Sequence, residues 1–292
     1  MNFLENVDRT KLQKSLIVII SVLTVIALAL LLVIIIASVS DGLSNDLSNV
    51  ELKDYTVTDK DLKTGSLILA DSTHHYSVEA ELLDLVNCKE YMMAQSDYTG
   101  PQTDGVDPAK NYIPWQDMRF SKTAMAAAHK MLTDAKNAVD QNKPLTIDAA
   151  YDKIMHGETT FEYNTAMLML LSDYTSGTNT RVPMSEAYRE WFDNNAAKYG
   201  FIESFEDGYR YVGTVHAKYM TEKNLSLAEY IDYLKKNTGI TKSLSISLDG
   251  AEYAVYYVAC ENAGEIVKVP AKGDITVSGT NEGGLIITCK TK

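Results

Sequence analysis

Few side chains in this sequence could build a metal or nucleophilic site. The 292 residues hold five histidines, His74, His75, His129, His156 and His216, and three cysteines, Cys88, Cys260 and Cys289. His74 and His75 are adjacent, and neighbours on a strand point to opposite faces, so a hydrated loop pair is a plainer reading than a metal site. His156 with Glu158 matches one half of a zinc-deaminase signature, and the cysteine half is absent. His129 falls opposite the apolar stripe of a helical stretch and reads as solvated. His216, at the start of another such stretch, reads as structural. No H-E-x-x-H, G-x-S-x-G, S-x-x-K, paired CxxC or glycine-rich phosphate loop occurs. The cysteines are too few for a disulfide scaffold. Cys260 and Cys289 each close an apolar, strand-like run, which leaves a single bridge and two buried thiols both open. Any chemistry must come from what the folded elements bring together.

The first of those elements is apolar. Ser15 to Ser40 is a 26-residue run without a charge. As a helix it is about 39 Å long, more than the roughly 30 Å hydrocarbon core needs. Arg9, Lys11 and Lys14 precede it, and Asp41, Asp46 and Glu51 follow. The positive-inside rule therefore puts residues 1–14 in the cytoplasm, 15–40 across the cell membrane and the C-terminal part outside. Ser38-Val39-Ser40 offers a cleavage site, but the run exceeds the roughly 7–15 apolar residues of a signal peptide, so an uncleaved single-pass anchor is expected. Residues 41–63, rich in Asp, Ser and Asn, read as a stalk. A net charge of −12 argues against nucleic acid as a partner and against a polybasic grip on anionic lipid.

Beyond the stalk, residues 64–239 read as an α+β domain and 240–292 as a β-rich extension. Gly65–Ala70 is a short apolar run, expected as a strand. Residues 81–93 fit a helix or a strand with a turn. Residues 96–115, with Gly100-Pro101, Gly105, Pro108 and Pro114, read as a loop. Ser121 precedes Ala124, Met125, Ala128, Met131, Leu132 and Ala135, a three- and four-residue spacing that predicts an amphipathic helix over 121–138 capped by Ser121. Residues 144–147 and 209–212 read as strands, and 165–171 as strand or helix. A helix over 185–199 should turn Trp191 and Phe192 inward and stop at Gly200. Ser226-Leu227-Ala228-Glu229 is a capping box for a helix closing near Gly239. From Ser243 the period becomes two. Residues 244–248, the pair Asp249-Gly250 and residues 253–258 predict a hairpin, with further strands at 266–269, 275–277 and 285–288.

Several of these segments carry a resemblance. Residues 118–132 (MRFSKTAMAAAHKML), 145–151 (LTIDAAY), 191–202 (WFDNNAAKYGFI), 209–213 (YRYVG) and 225–231 (LSLAEYI) resemble the VanY-type D-alanyl-D-alanine carboxypeptidases. These are zinc peptidases that trim the peptide stems of peptidoglycan. The tail, with Val255–Val258, Ile275–Gly279 and Gly284–Thr288, resembles a β extension of clostridial members. The resemblance implies an α+β fold: a carboxypeptidase-like core with a small antiparallel sheet flanked by helices, then the β-rich extension.

The family's catalytic motifs are not matched. Where the resemblance would put an arginine after the tyrosine of S-G-Y, to hold the substrate carboxylate, Tyr151 is followed by Asp152. The zinc motif S-x-H-x-x-G-x-A-x-D aligns with Phe161–Leu170, putting Tyr163 at the histidine and Leu170 at the aspartate. The E-x-W-H that precedes R-Y-V-G aligns with Phe205-Glu206-Asp207-Gly208, with Phe205 at the general base and Gly208 at the third ligand. Zinc is the cofactor the resemblance implies, and neither Leu nor Gly can ligate it. The expectation is no cofactor, no catalytic or metal residues, and a residual cleft of Tyr151, Asp152, Glu162, Tyr163, Thr165, Tyr209 and Arg210. The expected function is a membrane-anchored pseudoenzyme that binds peptidoglycan stem peptides or a cell-envelope protein. An active zinc carboxypeptidase with an unrecognised site, and an interaction module working through the β tail, are the alternatives.

Overall fold

The computed structural model describes residues 43–45, 47, 50–95, 112–114, 118–140, 143–151, 161–173 and 181–292. The apolar run 15–40 lies outside them, as do Asp152 and His156, and no helix of the described residues is long and apolar enough to cross a membrane. The chain divides into two units, Met1–Ser44 and Asn45–Lys292. Of the first, only Leu43 and Ser44 are described, in strand β1 (Leu43–Asn45). The second continues with β2 (Leu52–Thr56), α1 (Asp59–Lys63), β3 (Leu85–Asn87), α2 (Cys88–Gln95), β4 (Tyr112–Pro114), β5 (Arg119–Ser121) and α3 (Lys122–Val139). Next come β6 (Leu145–Ala149), β7 (Leu168–Asp173), α4 (Glu186–Asn195), β8 (Phe201–Phe205), β9 (Gly208–Tyr211), α5 (Thr214–Lys223) and α6 (Leu227–Asn237). The tail supplies β10 (Ser243–Leu248), β11 (Ala251–Ala259), β12 (Ile266–Pro270), β13 (Ile275–Gly279) and β14 (Gly284–Lys290).

The central sheet has the order β4-β6-β7-β9-β8, with β4 parallel to β6 and every other neighbour antiparallel. Side chains alternate across it. Met169, Leu171 and Tyr209 join Ile147 under α3 and α4, while Leu168 and Leu170 face the other way. A register shift between Ile147 and Ala149 carries Ala149 to that second face, as a bulge does. Helix α3 buries the six residues its spacing predicted. Ser121 holds its N-cap position, but its side chain makes no capping hydrogen bond. In α4, Tyr188 and Phe192 are buried and Trp191 is half-buried edge-on to Phe192. A 3-10 turn then ends at Gly200, whose φ of 86° needs no Cβ to be avoided.

The tail folds as its period of two predicts. Strands β10, β11, β14 and β13 neighbour one another in that order, all antiparallel. Asp249 (φ 50°) and Gly250 (φ 78°) are both left-handed, the requirement of a type I′ hairpin turn. The tail shares its core with the helices before it: Val215, Tyr230 and Ile231 pack with Leu244, Val255 and Ile286. The α6 capping box forms in full, Ser226 and Glu229 bonding each other's backbone N–H groups.

Five readings are corrected or resolved. The segment read as a stalk is built into the fold, because β2 pairs with β12 and Val57 is buried with Tyr256 and Val269. Gly65–Ala70 forms no strand, although Leu67, Ile68, Leu69 and Ala70 are buried. Its polar groups meet side chains and loop backbone instead of a ladder: Leu67 N–H donates to Ser278 Oγ, Leu69 N–H to the Thr280 carbonyl, and the Ser66 and Ile68 carbonyls accept from Arg210. Within the glycine- and proline-rich loop, Tyr112–Pro114 forms edge strand β4, where a terminal proline removes no needed donor. The two undecided stretches also resolve. Residues 81–93 hold the end of a 3-10 turn, then β3 and most of α2, and 165–171 hold the start of β7.

Candidate functional site

The positions aligned with the family's zinc motifs meet in space. Leu170 on β7 pairs directly with Gly208 on β9, and Ala149 on β6 pairs with Leu170 from the other side. Tyr163, on the 3-10 turn Phe161–Thr165, packs into the same cluster with Leu168 and the half-buried Phe205. A Cβ added at Gly208 would lie 2.5 Å from the Phe205 ring. The ring thus fills the space that a side chain at 208 would need. Such a lining of methyls and rings does not fit zinc, which requires imidazole nitrogen, thiolate or carboxylate at about 2.0–2.3 Å. Among the described residues no three His, Cys, Asp or Glu converge to hold a metal.

Of the seven residues expected to line one cleft, the six described ones do not share a face. Glu162, Thr165 and Arg210 come together: Arg210 Nη1 donates to Thr165 Oγ1 at 2.8 Å and lies 3.6 Å from Glu162 Oε1. Arg210 is fully buried, and its Nη2 donates to the Ser66 and Ile68 carbonyls at 3.2 and 3.1 Å. Burial pushes its pKa down, opposed by the charge of Glu162. This is an internal staple with no donor left for a ligand. Tyr163 belongs to the apolar cluster. Tyr209, next to Arg210 on β9, points to the opposite face and packs on Phe192, the rings tilted by 45° with centroids 4.6 Å apart. Tyr151 is bridged to Arg119, whose guanidinium lies 5.2 Å from its ring centroid. Asp152 lies outside the described residues.

The strongest polar constellation is one the sequence did not reveal. Asp207 sits in the two-residue turn between β8 and β9 at φ 61° and is fully buried. Its carboxylate accepts from Arg181 Nη2 at 2.5 Å, Arg189 Nε at 3.0 Å, Arg189 Nη2 at 3.2 Å and the Met184 N–H at 3.2 Å. Arg189 also pairs with the exposed Glu206 at 2.7 Å. The turn that aligns with the E-x-W-H motif therefore ties the strand end to α4 and the segment before it. Only the Asp-Gly pair at 207–208 marked this spot, as a turn signal.

The four described histidines and the three cysteines take structural places. His74 bonds Asp71 at 2.9 Å and Glu282 at 3.2 Å, and the bond to Asp71 raises its pKa. His75 stacks on Phe161 at 4.3 Å. His129 is half-buried beside Tyr91 rather than solvated, and burial lowers its pKa. All three cysteines are buried and free, so Cys260 and Cys289 are not bridged. His216 lies buried between the Tyr230 hydroxyl (Nδ1, 3.0 Å) and Thr288 Oγ1 (Nε2, 3.1 Å), and burial pushes its pKa from 6.5 down to about 4. Below about pH 6.5 the unfolded chain takes up a proton here that the folded chain refuses, so stability falls with pH down to about 4. By pH 5 this one group should cost about 2 kcal/mol. Urea melts of the wild type and His216→Gln at pH 7.5 and 5 check it: the variant should lose that much less over the interval. Equal losses would refute the buried neutral state.

The described residues form an α+β fold with a packed apolar cluster, and known proteins share that fold. A D-alanyl-D-alanine carboxypeptidase of Enterococcus faecium is 27% identical over 274 residues, which is 85% of this chain and 82% of that protein. The vancomycin-resistance D,D-dipeptidase VanXYg, solved with a D-Ala-D-Ala phosphinate analogue, shares the fold. Its TM-score is 0.61 over 82% of this chain and 99% of that chain, at 15% identity. A variant of the vancomycin-resistance D,D-pentapeptidase VanY in complex with Zn(II) matches 57% of this chain and 98% of that chain at 17% identity, with a TM-score of only 0.34. No protein-family model matches. The chain resembles the VanY-type D-alanyl-D-alanine carboxypeptidases over most of its length.

Proposed function

We propose that this protein is a catalytically inactive relative of the peptidoglycan D-alanyl-D-alanine carboxypeptidases, anchored in the cell membrane by residues 15–40. In this reading it acts outside the membrane as a cell-wall binding or scaffold module. One observation supports the inactivity above all others: an apolar cluster, Ala149, Tyr163, Leu168, Leu170 and Phe205, stands where the family's metal ligands align. Without a metal there is no activated water and no polarised carbonyl. The anchor rests on the length of the uncharged run and its flanking charges.

The purified full-length chain should carry no stoichiometric zinc and release no terminal D-alanine from a pentapeptide stem above background. Gly208→His alone should restore nothing, since the new side chain meets Phe205 and a lone histidine cannot hold the ion. D-Alanine release by the unaltered protein, abolished by a chelator and recovered with zinc, would overturn the reading. In cells the full-length chain should fractionate with membranes. Recovery of a soluble form beginning near Asp41 would show a cleaved signal instead.

A further inference from the structure

On the face of the central sheet opposite the apolar cluster lies a cavity of about 420 Å³, between α4, β8 and the end of α5. Its volume falls in the roughly 300–1,000 Å³ range of small-ligand pockets. Phe192, Phe201, Tyr209 and Met220 give it apolar walls, and Asp193 and Glu203 add two carboxylates. Both acids are exposed at the cavity, and neither makes an ion pair among the described residues. Arg189, a cation in the field of Glu203, is committed to Asp207 and Glu206.

A second observation points to a ligand. Tyr209 is only 2% exposed, yet its hydroxyl has no hydrogen-bond partner among the described residues. The hydroxyl is not sealed from solvent and opens onto the cavity, where a ligand oxygen or ammonium can bond it. As the cross-strand partner of Glu203, Tyr209 stands on the same face of the sheet, and its hydroxyl lies in the field of both Glu203 and Asp193. Partial desolvation and the charge of Asp193 hold the Glu203 carboxyl above its ordinary pKa, against the lowering effect of the Asp207 N–H that it accepts at 3.3 Å, a state that a bound cation would relieve.

We infer that this cavity binds a primary ammonium on an aliphatic chain, such as a lysine-type side chain of a peptide or a free diamine. The methylenes would lie along Phe192, Phe201 and Met220, and the ammonium between Glu203, Asp193 and the Tyr209 hydroxyl. Three donors on the ammonium match two carboxylates and one hydroxyl oxygen. The inference goes beyond the proposed function and does not depend on whether the apolar cluster is catalytically silent.

Calorimetric titration of the full-length chain tests it with three probes: Nα-acetyl-lysine methylamide, 1,5-diaminopentane and Nα-acetyl-norleucine methylamide. The lysine probe or the diamine should bind, and the tighter of the two identifies the source. The norleucine probe, matched in shape but lacking the charge, should bind at least tenfold more weakly. Glu203→Gln with Asp193→Asn, both at exposed positions, should weaken amine binding about tenfold or more without changing the thermal melt. Tyr209→Phe should weaken it by a smaller factor. Equal binding of the norleucine probe, no amine binding up to 20 mM, or an affinity unchanged in the double variant would each overturn the inference.

Discussion

Replacing Asp207 by alanine should cost the fold about 3–5 kcal/mol, the range for removing one partner of a buried charge cluster. The carboxylate receives four hydrogen bonds from Arg181, Arg189 and the Met184 N–H, and no part of it reaches solvent. Without it, Arg181 keeps, among the described residues, only Asp148 at 3.8 Å as an anionic neighbour, while the more exposed Arg189 keeps Glu206. The backbone adds a second cost, because Ala at φ 61° is strained by about 1–2 kcal/mol. Asp207→Asn separates the two terms: asparagine tolerates the left-handed region and keeps the shape, so its loss reports the charge alone. Urea denaturation should rank the variants wild type, Asp207→Asn, Asp207→Ala in falling stability. An alanine variant within 1 kcal/mol of wild type would mean that the cluster is not holding the β8–β9 turn. It would also remove the reason for a polar hub at the position aligned with the family's catalytic motif.

What the sequence made legible divides by the range of the interactions involved. Helix α3, the α6 capping box and the Asp249-Gly250 hairpin could be read because their determinants lie within a few residues of one another. Gly65–Ala70 misled because an apolar run between turn residues looks like a strand, whatever partners its backbone finds. Here those partners, Arg210, Ser278 and Thr280, are far away in sequence. The stalk misled for a similar reason, since β2 is polar on its exposed side and its partner strand comes more than 200 residues later.

The candidate site was half legible. Residue-by-residue alignment found positions that the fold does bring together, Leu170 opposite Gly208 with Tyr163 beside them. The expected cleft ignored strand alternation. Tyr209 and Arg210 are sequence neighbours on a strand and cannot line one face, a signal present in the sequence itself. Nothing local joined Arg181 and Arg189 to Asp207, 26 and 18 residues away, or revealed that Tyr209 faces an open cavity.

Arg210→Met should be the other severe variant, with an expected loss of at least 3 kcal/mol and selective loosening of residues 66–70. Methionine fills most of the volume but donates nothing. It would leave the Ser66 and Ile68 carbonyls without that donor, Thr165 Oγ1 without its charged donor, and Glu162 without the Arg210 charge. Each stranded buried polar group costs about 1–3 kcal/mol. Arg210→Lys keeps the charge but cannot span the fork from Thr165 to the two carbonyls, so an intermediate loss is expected. If the staple acts as a unit, Glu162→Gln should cost less in the Arg210→Met background than alone, because the stranded charge is then removed with its partner gone. Ser204, which donates to Glu162 Oε2 at 2.7 Å, can still bond the amide oxygen, so the double variant stays packed. Hydrogen exchange supplies the local readout: the Leu67 and Leu69 amides, bonded to Ser278 and Thr280, should lose protection first. Uniform loss of protection across the sheet would instead mark Arg210 as a support of the whole core. Unchanged exchange at Leu67 and Leu69 would show that the buried segment needs no staple, and that its backbone is held by the tail strands alone.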